Sequence, residues 1–246
     1  MMAERINVVG RLLRYLDALV FVAFVGALGW LLLTGNDTAF LHPRFRPFLT
    51  AGALLLAVFI FVIVRGPTRD HAGWPLIVHS VQALVLATPL VFLVFAMDQN
   101  MGAHALTRKY TGTEQQTLAR LIESGKNKPT KADGSQTFTL LEIARQMKQL
   151  DGKRVVTEGL VYRPAIMPPN HLTLFRFAIF CCAADALPVW MFVEHPDVTA
   201  FDDENWVRVD GTLTIVNFNG TDVPVIRADS IEKKAAPVTA EQYLFF

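Results

Sequence analysis

Three stretches of the first 97 residues carry no Asp, Glu, Lys or Arg: Ala18 to Asn36, Pro47 to Val64 and His71 to Met97. A helix crosses the roughly 30 Å hydrocarbon layer with about 20 mostly apolar residues. Each aliphatic or Phe side chain favours insertion by about 0.3–0.6 kcal/mol, so runs such as Leu31 to Leu33 and Phe59 to Ile63 suffice. The pattern predicts spans over about 16–35, 47–65 and 74–97. The core of a soluble protein does not call for three such runs in succession. The first span has the basic flank of a signal peptide (Arg5, Arg11, Arg14). Its apolar run is too long, and no small-x-small cleavage site follows, so it is read as an uncleaved helix.

Charge is divided as sharply as hydropathy. Residues 1–97 hold 11 charged side chains and residues 98–246 hold the other 34 of 45. The break lies near Asp98 and divides the chain into a membrane domain (1–98), a helical connector (99–135) and a β domain (136–246). A net charge of +1 gives no basic surplus for nucleic acid. Two cysteines cannot staple a disulfide scaffold.

Basic residues near helix ends face the cytoplasm. Arg5, Arg11 and Arg14 share a side with Arg65 and Arg69, against Arg44 and Arg46 in the first loop. This predicts a cytoplasmic N-terminus and, after three crossings, an extracytoplasmic β domain. In the third span Pro75, His79, Gln82 and Pro89 fall on one helical stripe. Polar groups in hydrocarbon seek partners, so the stripe marks a contact with a partner protein or with the chain's own helices.

Beyond the membrane domain, Thr113 to Glu123 has helical composition. Leu140, Ile143, Met147 and Leu150 form an apolar stripe that Thr137 or Thr139 caps and Asp151-Gly152 closes. Five strands follow: Lys153 to Tyr162, Leu172 to Cys182, Pro188 to Glu194, Trp206 to Val216 and Asp222 to Ile231. The fourth alternates most cleanly, with Val207, Val209, Leu213 and Ile215 on one face. The fold class is therefore an α+β membrane protein. Three transmembrane helices precede a small antiparallel β-barrel, OB-like, with a leading helix; a small sandwich is the alternative. The Phe-rich second strand reads as core, not as a base-stacking platform.

Cys181 and Cys182 stand alone as thiols. Thiolates bind zinc and Cu(I), but a structural zinc takes four ligands and the chain has no C-x-x-C. On an unbroken strand the two side chains point to opposite faces. Ala183 to Pro188 reads as a break that would bring them together and turn Asp185 back toward the sulfurs. His171, Glu194 and His195 are candidate additional ligands. A bond between adjacent cysteines is strained, and burial as small hydrophobes is the structural alternative.

Several segments resemble the YcgQ-like family of bacterial permease subunits: His42-Pro-Arg44, Arg176-Phe with Cys181-Cys-Ala-Ala-Asp-Ala186, Trp206 to Leu213, and Gln242-Tyr-Leu244. The resemblance covers nearly the whole chain and rests most on the Cys-Cys-Ala-Ala-Asp-Ala block. It implies a partner of a separate multi-pass permease and a link to metal homeostasis. Relatives carry a histidine-rich loop between the second and third spans; here that loop holds His71 alone, which speaks against metal loading there. The expected function is that of an accessory permease subunit, binding zinc or another soft metal, a ligand or a partner through Cys181, Cys182 and Asp185. The alternatives are a membrane-anchored thiol oxidoreductase or metallochaperone, and a purely structural assembly factor.

Overall fold

A computed structural model describes residues 2–65, 76–97, 101–109, 137–164, 167–218 and 221–246. The chain forms two compact units. One comprises residues 1–38 and 43–100; the other comprises 101–246 together with the tetrapeptide 39–42. The linear domain division did not anticipate that the β unit recruits four residues from between the first two helices.

The first unit holds α1 (Met2–Thr34), α2 (Arg46–Arg65) and α3 (Leu76–Met97). Among the described residues, one helical stretch is long and apolar enough to cross a bilayer, Pro43–Arg65, with mean hydropathy 2.7. The apolar parts of α1 (Ala18–Thr34) and α3 (Leu84–Phe95) are shorter. No residue of α2 is buried, and Leu54, Leu55, Val58 and Phe59 all stand more than half exposed. Asp37, buried, accepts from Arg46 through both carboxylate oxygens at 2.6 and 2.9 Å, which ties the turn after α1 to the start of α2. Pro75 lies outside the described residues, as do the side chains of His79 and Gln82. Pro89 sits inside α3.

Among its described residues, the second unit contains α4 (Ala103–Lys109), α5 (Leu140–Leu150), α6 (Thr239–Gln242) and six strands. These are β1 (Arg154–Tyr162), β2 (His171–Ile179), β3 (Leu187–Glu194), β4 (Trp206–Phe218), β5 (Thr221–Lys233) and β6 (Leu244–Phe245). The expected helix at Thr113 to Glu123 falls outside the described residues. Thr139 caps α5 in a reciprocal capping box with Glu142. Gly152, at φ +73°, takes the left-handed turn that leads into β1.

Strand order β1-β4-β5-β3-β2, with β1 also pairing β2, closes a five-stranded barrel. All its pairings are antiparallel except β3 with β5. The barrel expectation holds, and the sandwich alternative does not. The interior takes Val155, Val161, Leu174, Met191, Val207, Val209, Leu213 and Ile226, and α5 adds Leu140, Ile143 and Leu150. Val207, Val209 and Leu213 share the inward face that their alternation predicted, while Ile215, expected with them, is only half-buried and lies outside that core.

β2 is buried on both faces. Leu172, Leu174 and Ala178 face the barrel core. Phe175, Phe177 and Ile179 form a second cluster with Ala103 and Leu106 of α4 and with Tyr243. That double burial explains a strand rich in Phe with no polar alternation. It also accounts for the C-terminal segment, where β6 runs parallel to the end of β2 (Ala178↔Leu244, Ile179↔Phe245). Arg176 fastens this segment: its guanidinium donates to the carbonyls of Glu241, Gln242 and Tyr243 and lies over Trp206. Burial pushes that guanidinium down to about 10 against the opposing pull of Glu158 and Glu241.

Candidate functional site

β2 ends at Ile179, three residues before the strand expected from sequence would have ended. The chain then bends through Phe180, Cys181 and Cys182 into a single 3-10 turn, Ala183–Asp185. The cause is a carboxylate. Asp185 Oδ1 accepts from the amide of Phe180 at 3.0 Å, and Oδ2 accepts from Cys181 at 2.8 Å and Cys182 at 3.3 Å. Three successive amides aimed at one anion form a nest that no ladder supplies. The anticipated break therefore exists, and Asp185 makes it.

The bend brings two side chains that a strand would separate onto one side. The sulfurs of Cys181 and Cys182 lie 3.8 Å apart. Both are free thiols and half-buried. One ligand atom from each of Cys181, Cys182 and Asp185 lies within 4.8 Å of the others. Two sulfurs bound tetrahedrally to one zinc at about 2.3 Å stand about 3.8 Å apart. The thiol pair already has that spacing. The Asp185 carboxylate keeps acceptor capacity beyond its three amides, since an ionised carboxylate has about four lone-pair sites.

Electrostatics favour a protonated thiol in the absence of a cation. A hydrogen bond to Asp185, together with desolvation and the neighbouring Cys182, pushes Cys181 up to about 11. Burial alone would raise Asp185, but the Cys181 thiol and the three amides outweigh it and hold the carboxyl below its ordinary range. The thiolate is the nucleophile in thiol chemistry, so Cys181 in this setting is a weak nucleophile at neutral pH. In a Cys182→Ser variant, the alkylation rate of Cys181 should still climb about tenfold per pH unit beyond pH 9. A plateau at or below pH 9, followed by mass spectrometry, would refute the raised value.

The additional ligands expected from sequence do not join this cluster. His171 pairs with Glu194 at one end of the β2–β3 ladder, and Ala178 pairs with Leu187 at the other. His171 to Ile179 is roughly 26 Å of strand at about 3.3 Å per residue. His171, Glu194 and His195 instead meet around Asn170: its side chain bonds His171 at 2.9 Å and Glu194 at 3.4 Å, and its carbonyl accepts from the His195 amide at 3.0 Å.

A residue not expected at the site does touch it. Leu41 forms an antiparallel bridge with Cys182. The His42 amide donates to the Cys181 carbonyl at 3.0 Å, and the Ala183 amide donates to the Phe40 carbonyl at 2.8 Å. The His42 ring meets Phe245 edge-on at 5.2 Å, and its Nε2 lies 3.3 Å from the Phe246 carbonyl oxygen. No local pattern announces this contact. His42-Pro-Arg44 and Gln242-Tyr-Leu244 stood out only as segments shared with a family.

The protein known as UPF0703 protein YcgQ, from Bacillus subtilis (strain 168), is 32% identical over 62 residues, which are 25% of this chain and 22% of that protein. The chain thus covers well under two thirds of that relative. A solved structure described as an aspartyl-tRNA synthetase from Leishmania major Friedlin matches at 13% identity over 50% of this chain and 26% of its own. Its TM-score of 0.29 is too low to bear on fold or function. The family described as DUF1980 C-terminal domain matches residues 107–246. That span is more than half of the chain and contains the barrel, the thiol pair and Asp185, and the protein belongs to this family.

Proposed function

We propose that this protein is an accessory subunit of a membrane permease whose β-barrel domain, outside the cytoplasm, captures zinc or a similar soft or borderline cation through Cys181, Cys182 and Asp185. The observation that carries the metal reading is the 3.8 Å separation of two free sulfurs beside a carboxylate. Three of the four ligands of a tetrahedral ion are thereby assembled. Metal binding would displace the thiol protons, which is the usual coupling between thiolate ligation and pH.

The charge pattern supports the membrane topology: Arg5, Arg11, Arg14, Arg65 and Arg69 outnumber Arg44 and Arg46, and basic residues near helix ends mark the cytoplasmic side. The exposed apolar surface of α2 suits lipid or a partner's helices. The stripe of Pro75, His79, Gln82 and Pro89 is the proposed contact with a multi-pass permease.

Two measurements test this reading. The full chain, purified in mild detergent and dialysed against zinc, should retain about one ion per chain by elemental analysis, and the Cys182→Ser variant should retain none. Equal zinc in both would remove the metal role. Tagged protein from cells should also carry a multi-pass membrane protein through purification, and repeated recovery as a lone homo-oligomer would overturn the permease role.

A further inference from the structure

We infer that His42, from the segment between the first two helices, is the fourth ligand of the Cys181–Cys182–Asp185 centre and closes over the ion when it binds. This rests on the metal reading above and adds to it a residue distant in sequence. His42 stands directly across the short antiparallel bridge from Cys181, as the Leu41↔Cys182 pairing and the His42 amide bond to the Cys181 carbonyl require. Residues so opposed hold their Cβ atoms about 4.5–5.5 Å apart. A zinc–sulfur bond of about 2.3 Å and a zinc–nitrogen bond of about 2.0–2.1 Å bridge such a gap through the two side chains.

The ring also has the support that a ligating imidazole receives. Its Nε2 lies 3.3 Å from the Phe246 carbonyl oxygen, and Phe245 packs against it edge-on. A metal-ligating histidine characteristically donates its other ring N–H to a carbonyl or carboxylate, which fixes the tautomer. Coordination through Nδ1 would keep the proton on Nε2 toward that carbonyl and would displace the ring's other present neighbours. His42 is not among the atoms gathered within 4.8 Å, so ligation requires its ring to turn toward the sulfurs. Among the histidines with described side chains, His171 and His195 lie at the far end of the barrel. His42 alone of these touches the thiol loop.

X-ray absorption on the zinc-loaded full chain in detergent tests this without any variant. The expected shell is two sulfurs, one oxygen and one imidazole, the last recognised by its outer-shell scattering. A shell of sulfur and oxygen without imidazole overturns the inference and leaves the three-residue centre standing. Cobalt(II) titration provides the second test. His42→Phe keeps a ring against Phe245 but removes the nitrogen, and should weaken cobalt binding by more than the roughly 10–100-fold that loss of an outer-shell partner costs and shift the d–d bands, while the metal-free protein still melts cooperatively. Unchanged affinity and spectrum would overturn the assignment of His42. Failure of the unaltered chain to bind either metal would overturn the underlying centre together with it.

Discussion

Asp185→Ala should release the loop that presents the sulfurs and lower zinc affinity at least about 100-fold. Ala removes a candidate ligand and also the one acceptor shared by the amides of Phe180, Cys181 and Cys182. Hydrogen bonds to a charged acceptor contribute about 1.5–3 kcal/mol each when sheltered. Solvent at this half-buried turn recovers part of that, so the whole set should be worth about 2–3 kcal/mol. The loss should be local. Amide exchange at 180–182 should accelerate strongly while barrel amides such as Val207 and Val209 stay protected. Asp185→Asn separates the two roles in part, because its one amide oxygen can replace Oδ2 under the Cys181 and Cys182 amides but leaves an NH2 facing the Phe180 amide, and it is a poor metal ligand. It should keep slow exchange at 181 and 182, lose it at 180, and still lose zinc. If Asp185→Ala left both exchange and zinc affinity unchanged, Asp185 would be neither the organiser of the loop nor a ligand.

Gly211→Ala should destabilise the barrel by about 3 kcal/mol or more, the largest effect expected of a single methyl group in this protein. β4 and β5 change register between Asp210 and Gly211, where the partners step from Ser230 to Ala228. At that irregularity the backbones approach closely. A Cβ on Gly211 would stand 2.2 Å from the Arg227 carbonyl oxygen and 2.6 Å from the Ala228 Cα. Neither atom is the end of a flexible side chain, so a strand must move. Gly211 also pairs with Val155 of β1, and a closed barrel cannot splay one seam without disturbing the next. Gly152→Ala is the control. It meets nothing within 4 Å and strains only its φ of +73°, which should cost about 1 kcal/mol. Thermal or denaturant melts of the detergent-solubilised chain measure both, and comparable stability of the two variants would refute the steric argument.

Elements set by local chemistry were readable from sequence. The alternation of Val207, Val209 and Leu213 predicted an inward face because a strand has period two. Thr137 or Thr139, followed by Asp151-Gly152, marked the ends of a helix because capping is a matter of neighbouring residues; the structure selects Thr139, paired with Glu142. The Ala-Ala-Asp-Ala-Leu-Pro run signalled a break after the cysteines for the same reason. Features that depend on remote partners were not legible. Nothing in His171, Glu194 or His195 says which end of a hairpin they occupy until the register is known. The same holds for the docking of residues 39–42 and for the Arg176 clamp on the C-terminal segment. Leu244 and Phe245 form a strand only because the edge of β2 near Ile179 is available to a parallel neighbour.

The seam that joins residues 40–42, 181–183 and 246 has a consequence for biogenesis. Synthesis proceeds at about 5–20 residues per second, so Phe246 leaves the ribosome roughly 10–40 s after His42 and roughly 3–13 s after Cys182. Throughout that second, shorter interval the two sulfurs have no completed cradle, and closure of the long loop back to His42 carries an entropic cost that only the finished barrel repays. Oxidant met in those seconds would reach the thiols before their neighbours arrive. Arrival of Phe246 while the thiols are still reduced is therefore a condition for the finished seam.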